Sequence, residues 1–456
     1  MKKTFLIAAL LPLCVSAQFA EDSAFIKKMA DDILTNGKAY DNLYELTKNI
    51  GGRLAGSPQF NKAVEWGKKK MEIAGADNSF LQECMVPNWK RGGKDAAYIV
   101  AQNGKKINIP LDALALGNSL GSGPKGVTAK VLAVMNFAEL EKRKDEAKGS
   151  IVFFNNGFNP TYVSTGRAYG EAGVYRRNGA SIAAKYGAAA IMIRSLSSGT
   201  DNNPHTGSMT YQDSLPKIPA IAIGLKDADK VWELSKTNEL TVSLYTYGRF
   251  NPDTINYNVI GELKGTEFPN EFITVGGHLD SWDVNEGAHD DGAGVVQTIE
   301  ILRALKAIGY KPKRTIRFVL FANEENGLRG GQKYAAEAKA KNEKHLFAME
   351  SDAGGFTPRA IGFTTNTPAQ YEKVQSWAPL LKPYGVLAFD NSGGGADIGP
   401  LRNLGTILCG YEPDGQRYFD LHHARTDVFE NVNKRELLLG ALNMAAVIYL
   451  VDKYGL

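Results

Sequence analysis

The sequence predicts an α/β fold: a mostly parallel sheet with helices on both faces, interrupted by an inserted β-rich domain. Three observations lead there. Beyond Tyr257, apolar strands alternate with amphipathic helices, the rhythm of parallel strands joined by helical crossovers. Between 111 and 247 that rhythm gives way to short β-branched runs broken by Gly and Pro. In the last part of the chain, acidic and histidine residues recur just after predicted strands, where the ligands of parallel sheets gather.

The 456-residue chain opens with Met1-Lys2-Lys3, an apolar run from Phe5 to Val15, and a small-residue site at Val15-Ser16-Ala17. That pattern predicts a signal peptide over 1–17, cut after Ala17, and hence an exported protein, periplasmic or secreted. The apolar run contains Pro12 and falls well short of the roughly 20 residues a membrane anchor needs. Leu13, directly before Cys14, is too bulky for a lipidation site.

Residues 18–110 read as the N-terminal part of the main domain. Phe25, Met29, Ile33 and Leu34 recur at helical spacing within 22–50, which Gly51-Gly52 terminates, and Phe60, Val64 and Met71 share one face of a helix over 59–74. The insert, 111–247, reads as strands at 127–132, 150–154, 189–193, 218–223 and 240–244 with one helix at 175–186. Its polar residues show no catalytic spacing, and 197–204 reads as a loop. Residues 248–456 complete the main domain: strands at 272–277, 315–322, 347–351 and 406–409 alternate with helices at 291–308, 330–341, 368–382 and 435–454.

Composition narrows the partners. Lys and Arg number 53 against 49 Asp and Glu, a formal charge of +4 that falls to +2 when Lys2 and Lys3 leave with the signal. Charges so balanced and interspersed provide no footprint for nucleic acid or a membrane surface. No stretch beyond the leader is expected to span a bilayer. Cys84 and Cys409 permit one disulfide at most, so a buried core must hold the fold.

Five residues able to bind metal stand in strand-to-loop contexts: His278, Asp290, Glu325, Asp352 and His423. In Gly277-His278-Leu279-Asp280, both polar side chains can leave extended backbone on one side, so that Asp280 would fix the ring of His278 from behind. In His289-Asp290-Asp291-Gly292, Asp290 is assigned to metal and Asp291 to capping the following helix. Adjacent Glu324 and Glu325 at a strand end are costly unless a cation or proton separates their charges, and their opposite directions suit a general base at Glu324 and a ligand at Glu325. Asp352 follows the next strand, with Glu350 two positions before it, and His422-His423 uses two of only six histidines.

In this order the motifs resemble the M28 family of co-catalytic zinc peptidases: His278/Asp280, Gly287 to Gly294, Glu324/Glu325, Asp352 and His423/Asp427. The likeness covers nearly the whole chain after the leader. Met349 to Gly355, the loop from Gly393 to Pro400 and His422-His423 are most similar to that family's carboxypeptidase Q branch. The resemblance implies the zinc exopeptidase fold, with the insert as a protease-associated-like domain. It implies two Zn²⁺ per chain, one held by His278 and Asp352, the other by Glu325 and His423, with Asp290 bridging. Glu324 would take a proton from the attacking water. His422 or Tyr418 would face the oxyanion, and Asp397, Gly394 and Gly395 would contact a substrate terminus. The implied partner is a peptide, with dipeptides or short peptides as substrates, and a homodimer is compatible. The rivals are a general aminopeptidase, a single-zinc glutaminyl cyclase and a receptor-like protein of the same fold.

Overall fold

Two eight-stranded sheets organise the chain, and the alternation of side chains along their strands explains why both faces of each are covered. A computed structural model describes the backbone of residues 7–456 and side chains from residue 19. The first residues of the expected leader lie outside the described residues; from Ile7 onward it continues into the helix Ile7–Asn36.

The strands in chain order are β1 (Asn78–Lys90), β2 (Ala96–Gln102), β3 (Lys105–Leu111), β4 (Ala113–Ala115), β5 (Val127–Val134), β6 (Ile151–Phe154), β7 (Ala190–Arg194) and β8 (Ala220–Ile223). They continue with β9 (Leu240–Tyr245), β10 (Arg249–Leu263), β11 (Phe268–His278), β12 (Arg314–Phe321), β13 (Lys344–Glu350), β14 (Pro358–Thr364), β15 (Ala388–Asp390) and β16 (Ile407–Pro413).

The main sheet runs β1-β10-β12-β11-β13-β16-β14-β15. Its centre, β12-β11-β13-β16, is parallel, whereas β1, β10 and β14 join by antiparallel pairs, so the sheet is mixed. Along β12 alternate residues enter different cores. Ile316, Phe318 and Leu320 pack beneath the helices Pro58–Ala74, Ala293–Ala307 and Lys434–Tyr454, while Val319 and Phe321 pack against Arg329–Ala340. The helix Lys434–Tyr454 is long and apolar enough to cross a membrane, contrary to the expectation from sequence, but it is buried in this core. Cys84 on β1 and Cys409 on β16 are both buried and unpaired.

The second sheet runs β3-β2-β9-β5-β6-β7-β8-β4, with β5 to β8 parallel. The insert is therefore itself an α/β layer, not simply β-rich. Val152 and Phe154 of β6 face the helix Thr165–Lys185, and Ile151 and Phe153 face Leu225–Ser235. The helix expected at 175–186 extends ten residues further upstream because its buried face uses Ala168, Ala172 and Gly173, too small to mark an apolar stripe. The insert also begins earlier than residue 111, since β2 and β3 belong to its sheet. They form a hairpin about Asn103-Gly104, both at positive φ, 49° and 75°. The true frame is the antiparallel pair β1 and β10, which carries the chain out of the main sheet and back.

Candidate metal centre

Three strand ends, the turn Ala288–Gly292 and the loop after Leu421 deliver the five expected ligands to a common point. β11 ends at His278, whose Nε2 lies 3.2 Å from Asp290 Oδ1 and 3.4 Å from Asp352 Oδ1. The other Asp290 oxygen, Oδ2, lies 3.2 Å from His423 Nε2, which is 3.1 Å from Glu325 Oε2. One carboxylate thus stands between two histidines, each with a further carboxylate of its own. Ligand atoms about 2 Å from a tetrahedral ion are spaced roughly 3.3 Å apart, and the four separations match that spacing.

Three further facts fit a cation there. His278 Nε2, Asp290 Oδ2 and Glu325 Oε1 are buried without any hydrogen-bond partner, an expensive condition unless something else satisfies them. Burial, followed by the Asp290 charge, pushes Glu325 well above the usual carboxylate range, and burial raises Asp352. Burial opposes ionisation of Asp290 too, yet His278, His422 and His423 hold it well below that range. So many carboxylates packed together call for positive charge between them.

The surroundings aim these ligands. Asp291 accepts from the backbone N–H of His278 at 3.0 Å and of Gly294 at 2.9 Å, the capping role expected of it. Asp427 accepts from the N–H groups of His289 and Asp290 at 2.7 and 3.1 Å. Arg53, fully buried, donates to the carbonyls of Leu279, Glu286 and Gly287, tying together both loops that lead into the site.

Asp280 corrects the expectation. Its backbone carbonyl, not its carboxylate, lies 3.0 Å from His278 Nδ1, and the nearest carboxylate oxygen is 3.8 Å away. The carboxylate turns instead to the N–H groups of Glu324 and Glu325, at 3.0 and 3.3 Å. Asp280 therefore serves both strand ends with different atoms.

A cavity of about 560 Å³ opens over this centre, lined by Asp290, Glu324, Glu325, Asp352, His422 and His423 among others. Glu324 is half-buried at its wall; burial, reinforced by Asp352, Asp280 and Asp290 against the pull of His278, pushes it up to about 8. Tyr418 and His422 both line the cavity, with ring centroids 5.1 Å apart, and His422 Nε2 lies 3.6 Å from Asp290 Oδ2. Asp397, Gly394 and Gly395 do not line it. Asp397 is fully buried behind Glu350, whose carboxylate accepts its N–H at 3.1 Å, and a side chain at Gly395 would collide with Glu350. Burial and the Glu350 charge push Asp397 well above the carboxylate range, so it is no anion waiting for an ammonium group.

The insert, expected to hold no functional cluster, reaches the centre. Thr206 N–H donates to the His423 carbonyl at 3.0 Å, His423 Nδ1 lies 3.3 Å from the Thr206 carbonyl, and His205 Nδ1 donates to the His422 carbonyl at 2.6 Å. Arg176, Arg177, Tyr169 and Asn118 line the cavity. Nothing in their spacing marks them, because 205–206 and 422–423 meet only through the fold.

Comparisons with known proteins agree with this geometry. Residues 258–448 match the family model described as Peptidase family M28. The chain is 35% identical over 415 residues to carboxypeptidase Q of Mus musculus, covering 91% of this chain and 85% of that protein. It is 34% identical over 433 residues to carboxypeptidase Q of Homo sapiens, covering 93% and 88%. Among solved structures, a peptidase M28 precursor from Shewanella amazonensis superposes with a TM-score of 0.90 at 33% identity, covering 95% of this chain and 97% of that one. A zinc aminopeptidase from Bacillus subtilis shares the fold, with a TM-score of 0.64 at 20% identity over 91% and 95% of the two chains.

Proposed function

The chain belongs to peptidase family M28, and from that premise we propose that it is an exported exopeptidase that uses two zinc ions to hydrolyse dipeptides or short peptides. The observation that carries the two-zinc reading is Asp290, with one oxygen 3.2 Å from His278 and the other 3.2 Å from His423. His278 and Asp352 would hold one ion and Glu325 and His423 the other, with Asp290 shared. Oxygen and imidazole donors of this kind suit zinc. When bound, the pair supplies a water of lowered pKa and polarises the scissile carbonyl. Glu324, at the cavity wall and raised by burial, would accept the water's proton and return it to the leaving amine. His422 and Tyr418 remain the candidates for the oxyanion. A single-zinc cyclase would leave one half of this arrangement without a purpose.

Carboxypeptidases Q match over most of both chains, and that likeness favours short peptides over a general aminopeptidase reading. Export rests on the leader sequence and on the similar Shewanella protein being a precursor. The insert would then be a protease-associated-like domain that forms one wall of the cleft.

Elemental analysis of the purified protein and of Glu324→Gln tests the core of this reading. Two zinc per chain are expected in both, with turnover of a free dipeptide falling about 10²- to 10⁴-fold in the variant, the usual worth of a general base. One zinc in the wild-type protein, or a variant keeping more than half its activity, would overturn it.

A further inference from the structure

Arg176 is an anomaly in charge accounting. It is 4% exposed, yet among the described residues no carboxylate pairs with it, and its Nε has no partner. Buried guanidinium groups are ordinarily paired, because desolvation otherwise costs several kcal/mol. Among the described residues its polar neighbours are the Tyr169 hydroxyl and His423 Nδ1, the latter 3.3 Å from Nη1. That contact does not satisfy it in the metal-bound state. A histidine that turns Nε2 to a cation carries its proton on Nδ1, and the Thr206 carbonyl at 3.3 Å is there to accept it. His423 then has no lone pair left for the arginine.

Arg177, beside it, lines the same cavity; among the described residues it has no carboxylate partner either, and its Nη2 lies 3.4 Å from the Gly170 carbonyl. Burial and the charge of Arg176 press its own pKa down. Tyr169, which lines the cavity with them, has its ring centroid 5.2 Å from the Arg176 guanidinium. The cavity therefore has an acidic floor of metal ligands and Glu324 and a basic wall contributed by the insert. What the basic wall lacks is an anion.

We propose that Arg176, assisted by Arg177, receives the α-carboxylate of the substrate's C-terminal residue, a specificity role that rests on the exopeptidase reading. The position sets the length of the product. Only the width of one imidazole separates the Arg176 contact at His423 Nδ1 from the Glu325 contact at Nε2. A residue spans about 3.5 Å of extended chain, so a carboxylate held there belongs to the residue next to the scissile bond. The enzyme would release a single C-terminal amino acid, and a dipeptide would fill the site.

The test compares a free dipeptide with its C-terminal amide, using the zinc-loaded wild type, Arg176→Gln, Arg176→Lys and Arg177→Gln. Wild type should favour the free acid by about tenfold or more in kcat/KM, mostly through KM. Arg176→Gln should lose that preference, the acid falling about tenfold more than the amide; Arg176→Lys should keep part of it and Arg177→Gln most of it. Equal hydrolysis of acid and amide by wild type overturns the proposal whatever the variants do. Equal loss on both compounds in Arg176→Gln also overturns it, reducing Arg176 to a support for His423. If wild type cleaves neither compound, the exopeptidase reading itself falls.

Discussion

The two halves of the metal centre look symmetrical at the ligands and differ in what stands behind them. His278 and Asp352 rise from neighbouring parallel strands β11 and β13, and the two groups that hydrogen-bond His278 from outside the sheet, the Asp280 carbonyl and the Asp291 carboxylate, lie within 13 residues of it. His423 sits in a loop at a positive φ of 63°, an uncommon conformation for a non-glycine residue. It is held there by the insert, through Thr206, 217 residues away in sequence. Trp282 presents its ring edge to His423 from the main domain, with centroids 5.7 Å apart. One half is thus a property of the sheet, and the other a property of the interface between sheet and insert. The position of His423 therefore depends on how insert and sheet meet, and Arg91 spans that junction, reaching Asp283 on one side and the Ala115 carbonyl on the other.

The harshest way to break the comparison is to remove what the halves share. Asp290→Ala should abolish turnover, a larger loss than the roughly 10- to 100-fold typical of an outer partner, and should release at least one zinc. Elemental analysis after gel filtration measures this. Unchanged zinc content would move the bridging role to Asp291, although its carboxylate is already engaged by two backbone N–H groups.

A smaller change should strike one half alone. Gly207 has a φ of 125°, and a Cβ there would come within 2.4 Å of Arg176 Nη1 and 2.6 Å of His423 Nδ1. Gly207→Ala must displace one or both. The expected result is a ~10- to 100-fold loss of activity with one zinc equivalent weakened and the other retained, seen as a biphasic chelator titration. Uniform weakening of both equivalents would show that the insert supports the whole centre and that the two halves are not independent.

The same asymmetry decides how much of the site is legible in the sequence. The five candidate ligands are legible because strand ends and loops deliver them in sequence-local motifs: His278 with Asp280, Asp290 with Asp291, Glu324 with Glu325. The helix–strand rhythm after Tyr257 is legible for a similar reason, since period-2 and period-3.6 patterns are local. Arg176, His205 and Thr206 are not, because their meaning lies entirely in residues 217 to 247 positions away. Asp280 is half legible: its proximity to His278 follows from spacing, whereas which of its oxygens does the work depends on the Glu324-Glu325 turn folding over it. The Gly393 to Pro400 loop misleads in the opposite way. A glycine-rich run with an aspartate looks like a ligand loop, and here the glycines exist to let the backbone close on Gly362 and Glu350.

Asp280 also supplies the mildest test. Asp280→Asn leaves the backbone carbonyl that contacts His278 and retains one side-chain oxygen, but replaces the other acceptor by an NH₂ group facing an N–H donor. Hydrogen bonds to a charged acceptor are worth about 1.5–3 kcal/mol, and here that loss falls on the turn carrying Glu324 and Glu325. The His278 half should be untouched. Turnover is expected to fall about tenfold, within the range for outer partners of a metal ligand, because the base and one ligand lose their alignment together. In a chelator titration the first zinc lost should be the same equivalent that Gly207→Ala weakens, since Glu325 and His423 are 3.1 Å apart and belong to one half. Loss of the opposite equivalent first would mean that the Asp280 carboxylate acts on His278 after all, across the 3.8 Å that separates them.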